Sequence, residues 1–152
     1  MQRVDHRFGY FWFVAPNVFI NQAHIHRANA AAAHAVQDWI DALLTARKDS
    51  IAAAGGLIAV HDWRKLEGYD SDARRIYSDR MRRRPTGYLK AAYAIVPDTP
   101  LFKMAVQAIN LVAAVGAGGR IVLAHDPADV LARLKIETPN REATFPEPKR
   151  EP

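Results

Sequence analysis

An α/β fold with a mixed sheet and packed helices is what this sequence predicts, and three observations predict it. Apolar runs of strand length, Leu57–His61, Leu89–Val96 and Arg120–Ala124, alternate with segments of helical period, the pattern of a sheet with parallel neighbours in its later half. Ahead of them, two aromatic and branched runs flank the turn Ala15-Pro16-Asn17, which reads as an antiparallel hairpin. The chain has 152 residues, 49% hydrophobic and 24% charged, enough for one domain with a real core.

Taken in order, residues Arg7 to Val14 hold Phe8, Tyr10, Phe11, Trp12 and Phe13, a strand composition. Val18-Phe19-Ile20 begins the second strand, fading toward Ala23. Asn29 can cap a helix running to about Lys48, whose apolar positions Ala32, Val36, Trp39, Ile40, Leu43 and Leu44 fall on one face. Gly55-Gly56 ends the connector, and Leu57 to His61 is apolar on both faces, as a strand inside a parallel sheet requires. A helix from Ala73 to about Arg83 carries a narrow stripe of Ala73, Ile76, Tyr77 and Met81, and Pro85-Thr86-Gly87 breaks it. After the strand Leu89 to Val96, Thr99 caps a helix with Pro100 at its first position. Its expected buried face is Leu101, Met104, Ala105, Ala108, Ile109, Val112 and Val115. Arg120 to Ala124 is the last strand, and Asp126-Pro127 opens a short helix from Ala128 to Leu134. The order is ββαβαβαβα. Residues 1–136 form the domain; residues 137–152, with four prolines among charges, are expected to be a disordered tail.

The totals restrict function. With no cysteine, disulfides and thiol chemistry are excluded. The N-terminal residues lack the pattern of a signal peptide, and no apolar run of about 18 residues exists to span a membrane, so a cytoplasmic protein is expected. The net charge is +5, but residues 74–90 alone carry +6, leaving about −1 for the rest. A solvated helix face accounts for such a run. Nucleic acid is not the expected partner, since only Tyr77 and Tyr88 stand near as stacking aromatics and no reading motif is present.

The candidate functional stretch runs from Gly56 to Ala73. An apolar strand ends at Asp62, a polar loop follows, and Asp70-Ser71-Asp72 opens a helix. A helix N-terminus gathers unpaired N–H groups and partial positive charge. These side chains either cap the helix or, together with Asp62, Arg74 and Arg75, present a partner surface. Three other constellations carry weaker signals. His61-Asp62 and His125-Asp126 both end strands, where a metal or acid–base pair could be assembled. His24 and His26 share one side of an extended segment. Gly116-Ala117-Gly118-Gly119 precedes a strand, the reverse of a phosphate loop. No catalytic residue, metal or cofactor is assigned from them. The aromatic block Phe8 to Phe13 leaves surface that a homodimer or a ligand pocket would bury.

The strand Leu57–His61 with Asp62 and, eight residues on, Asp70-Ser71 resembles the strand–Asp–loop–Asp-Ser-Ser-Gly–helix segment of STAS-like proteins. More specifically it is similar to the SpoIIAA-like family related to anti-sigma-factor antagonists. The run Leu89 to Val115 with Pro100-Leu101-Phe102-Lys103-Met104, and the closing strand and short helix from Arg120 to Leu134, extend the resemblance over residues 7–135. It implies a STAS-like mixed sheet serving as a non-enzymatic regulatory or protein-interaction domain, in signalling, with a regulator or kinase-like partner. Asp72 stands where the family has its phosphorylated serine and Ala73 where it has glycine, so control by phosphorylation is not expected. The family also resembles the CRAL-TRIO lipid-carrier domain, which implies as the alternative a carrier of a small apolar ligand.

Overall fold

Strands buried on both faces need cover above and below, and this chain supplies it unevenly. The computed structural model describes residues 3–114 and 121–139. They form β1 (Arg3–His6), β2 (Gly9–Ala15), β3 (Val18–Ala23), β4 (Arg27–Ala28), α1 (Ala30–Ala46), α2 (Lys48–Ala53), β5 (Leu57–Asp62), β6 (Gly68–Tyr69), α3 (Ser71–Arg83), β7 (Leu89–Ile95), α4 (Pro100–Ala114), β8 (Ile121–Leu123) and α5 (Pro127–Arg133). Six strands make one mixed sheet in the order β1-β2-β3-β5-β7-β8. The first three pair antiparallel, and β3, β5, β7 and β8 run parallel. No helix among the described residues is long and apolar enough to cross a membrane.

Alternation along the strands sorts two cores. On one face Phe11, Phe13, Phe19, Leu57 and Ala59 pack against Val36, Trp39, Ile40 and Leu43 of α1. On the other, Val14, Val18, Ile20, Ile58, Val60 and Ile95 pack against Val130 of α5. The first face also takes α3 and α4, because Ala92 and Ala94 of β7 meet Val106 of α4. Asn29 caps α1, its side chain accepting the Ala32 N–H at 2.9 Å, and Asp126 caps α5 through the Asp129 N–H at 2.8 Å.

The order differs from expectation in four places. β1 is an added edge strand. Its charged residues Arg3 and Asp5 hide it from a hydrophobicity reading, as charge on an edge strand commonly does. The long first helix breaks at Arg47, and α2 follows as a separate turn-and-a-half. β4 and β6 form a two-stranded parallel pair, Arg27 with Gly68 and Ala28 with Tyr69, too short to carry a period. Finally, α4 is rotated from its expected orientation. Phe102 and Val106 are buried, whereas Leu101 is 49% and Met104 66% exposed, and Ala108 is exposed as well. Asn110 contributes to this rotation by gripping β8: its side chain donates to the Ile121 carbonyl at 2.9 Å and accepts the Ile121 N–H at 2.7 Å. Val115, the glycine run 116–119, Arg120 and residues 140–152 lie outside the described residues.

Gly56 is fixed by geometry. Its φ is +114°, and a Cβ there would sit 2.9 Å from the Lys90 nitrogen and 3.0 Å from the Gly87 carbonyl oxygen. Only glycine admits both, and the result is that β5 enters the sheet directly beside β7.

Candidate functional site

The sheet face under α1, α3 and α4 carries small side chains where a filled core would carry large ones. Ala59 of β5 and Ala92 of β7 stand side by side in register. Ala73 of α3 and Ala105 of α4 face them across the gap. Because alanine cannot reach across an inter-layer spacing of about 10 Å, a cavity of about 340 Å³ remains. Its wall is mainly apolar, with Ile40, Leu57, Leu66, Leu89 and Phe102 closing the ends and sides.

Among the polar side chains that interrupt this wall are Gln37 from α1, His61 from β5, Tyr77 from α3, and Arg84 just after α3. Gln37 is 1% exposed and His61 7%. Neither the Gln37 Oε1 nor the His61 Nδ1 has a hydrogen-bond partner among the described residues. Buried polar atoms nearly always have one, so two orphans on one cavity wall mark it as more than a packing defect. The His61 ring stacks on Trp63 at 5.1 Å between centroids and meets Tyr77 edge-on at 6.2 Å. Burial first, and the Arg84 charge second, hold the His61 pKa down to about 4, so the imidazole is neutral near pH 7. Burial also pushes the Tyr77 phenol above its ordinary value, against the pull of Arg84.

Arg84 reaches this place through α1. Its Nε donates to Asp41 at 2.7 Å and its Nη2 to the Gln37 carbonyl at 3.1 Å, and its side chain is only 6% exposed. Arg80 donates to both Asp38 and Asp41 at 2.6 Å. Two cations of the basic segment therefore turn inward and clamp α3 onto α1. A solvated face was expected of the whole segment, and these two residues correct that expectation. Asp38 and Asp41, three apart on the polar face of α1, were the available signal.

The candidate partner residues are separated by the sheet. Asp62 is 1% exposed, and by alternation its side chain lies on the face opposite His61. There it accepts Arg64 Nε at 2.9 Å, Arg64 Nη2 at 2.7 Å and Gln22 Nε2 at 3.1 Å. Asp70 occupies the N-cap position of α3, yet its side chain makes no capping bond and instead accepts Arg27 Nε at 2.6 Å. Ser71 and Asp72 are exposed in the first turn, and Asp72 pairs with Arg75 at 3.2 Å. Arg74 alone of the six lines the cavity. It has no ion-pair partner among the described residues.

The weaker constellations disperse. His24 donates from Nε2 to the Arg7 carbonyl at 2.6 Å, and His26 pairs with Glu67 at 3.2 Å. His125 donates its backbone N–H to Asp129. No group of three or more His, Asp or Glu among the described residues stands close enough to hold a metal ion. The cavity takes in His61 and Trp63 at the C-terminal end of β5 and extends under α3 to Leu57 and Leu89 at the opposite end. The alanine pair that opens it was visible in the sequence only as part of an apolar run. No protein-family model, curated protein or solved structure matches this chain.

Proposed function

We propose that this protein is a non-enzymatic binding domain that holds a small, largely apolar molecule between its sheet and α1, α3 and α4. The observation that carries this reading is the alanine-lined cavity with two orphaned polar atoms on its wall. Small-molecule sites are commonly of this kind, mostly apolar with a few convergent polar groups, and span about 300–1,000 Å³. The reading agrees with the carrier function implied by kinship of STAS-like, SpoIIAA-like proteins with CRAL-TRIO domains, and that kinship is part of the proposal. The partner surface around Asp62, Asp70, Ser71, Asp72, Arg74 and Arg75 has less support. Asp62 is enclosed by Arg64 and Gln22, and Asp70 and Asp72 are engaged with Arg27 and Arg75.

Native mass spectrometry of protein purified from its own host without detergent tests the proposal. The expected result is a discrete small-molecule adduct that is lost on acid denaturation and extractable into organic solvent. A mass equal to the bare chain, together with no uptake of added amphiphiles, would reject it.

A further inference from the structure

Among the described residues three cations line the cavity, Arg74, Arg82 and Arg84, and no carboxylate does. Arg82 is engaged with Asp79 at 3.2 Å and is exposed, as is Arg74. Exposed charges are screened and contribute little. Arg84 differs, because its guanidinium is buried, lies 5.4 Å from the Tyr88 ring centroid, and gives hydrogen bonds to the protein from Nε and Nη2 alone among the described residues. Guanidinium has five N–H donors in a fixed fork, and the Nη1 pair makes no hydrogen bond among the described residues. The carboxylate nearest to hand, Asp41, is shared with Arg80. The neighbouring polar groups can all act as donors: Tyr77 through its hydroxyl, neutral His61 through one ring nitrogen, and Gln37 through its NH2 when the amide turns over.

Resting on the ligand-binding reading above, we propose that the bound molecule is a single-chain carboxylate. Its anionic end sits on Arg84 Nη1 within the cluster of Gln37, His61 and Tyr77, and its apolar tail lies along Ala59, Ala92 and the inner side of α4. A cavity of about 340 Å³ is at the small end of the range for ligand sites and accommodates one chain, not the two of a phospholipid. A buried charge-assisted hydrogen bond to a planar carboxylate is stronger than its neutral counterpart, and it uses donors that would otherwise stay unpaired.

The test is calorimetric titration of the full chain with decanoate, decanol, decylamine and decyl phosphate. Decanoate is expected to bind about 10- to 100-fold tighter than decanol, with decylamine weakest. Arg84→Gln should bring decanoate down to the level of decanol. If that variant fails to fold, as judged by circular dichroism, Arg84→Lys should retain the charge preference while losing part of the affinity. Equal affinity of the wild type for decanoate and decanol would overturn the carboxylate and leave the binding site standing. Tighter binding of decyl phosphate would overturn it in favour of a phosphate, and no binding by any of the four would overturn both readings.

Discussion

Phe11→Ala is expected to cost about 3–5 kcal/mol of folding stability, the range for removing a fully buried aromatic ring. Phe11 is 0% exposed. Its ring stacks on Trp39 of α1 at 5.2 Å and on Phe19 of β3 at 6.2 Å, so it joins the hairpin to the helix that covers it. Neither neighbour can collapse into the gap, because Trp39 is anchored on α1 and Phe19 is held in register opposite Phe13. Urea unfolding should show a lower midpoint with an unchanged slope. Met104→Ala is the natural contrast. It removes a side chain of similar bulk at a 66% exposed position and should stay within about 0.5 kcal/mol of wild type. A loss under about 1 kcal/mol for Phe11→Ala would mean that the α1 layer does not pack as described.

The second large effect is on acid stability. Folded, His61 takes up its proton only near pH 4; unfolded, it does so near the ordinary value of 6.5. Between these values the unfolded chain binds more protons, so lowering the pH favours unfolding. The stability tied to the neutral imidazole is fully present above pH 6.5 and is lost progressively as the pH falls toward 4. The full loss is about 3 kcal/mol. Unfolding free energies measured at intervals from pH 7.5 to 4.5 should fall accordingly. His61→Phe, which keeps a ring beside Trp63 and Tyr77, should flatten that part of the profile. Identical slopes in the two proteins would show that His61 titrates normally and is not enclosed.

Much of the architecture was legible because it follows from local rules. The turn at Pro16, the caps Asn29 and Asp126, and the doubly buried Leu57–His61 run each appear in the structure. The rotation of α4 was not legible, because its sequence is apolar nearly all round. Tertiary contacts choose the buried stripe there, through Phe102, Val106 and the Asn110 grip on β8. The site was hidden for a related reason. His61 and Asp62 are neighbours in sequence, but strand alternation sends them to opposite faces, so the strand-ending acid does not mark the face that holds the cavity. The polar cluster assembles residues as distant as Gln37 and Arg84, and only the crossing of α1 and α3 unites them. Asp70, one of three residues able to cap α3, makes no capping bond and pairs with Arg27 of β4, a partner 43 positions away that no local rule exposes.

An apolar molecule is expected to enter the space between Ala59, Ala92 and α3. Backbone amide NMR spectra recorded during titration with decanoate test it most directly, on wild type and on Ala92→Leu. Ala92 is 4% exposed and borders the cavity, so a leucine there should fill it at little cost in stability. In wild type the shifts should concentrate at Ala59, His61, Ala73, Tyr77 and Ala92 and spare Val14 and Val18 on the opposite face; in Ala92→Leu they should vanish. Shifts confined to the α5 face, or an unchanged response in Ala92→Leu, would contradict the account.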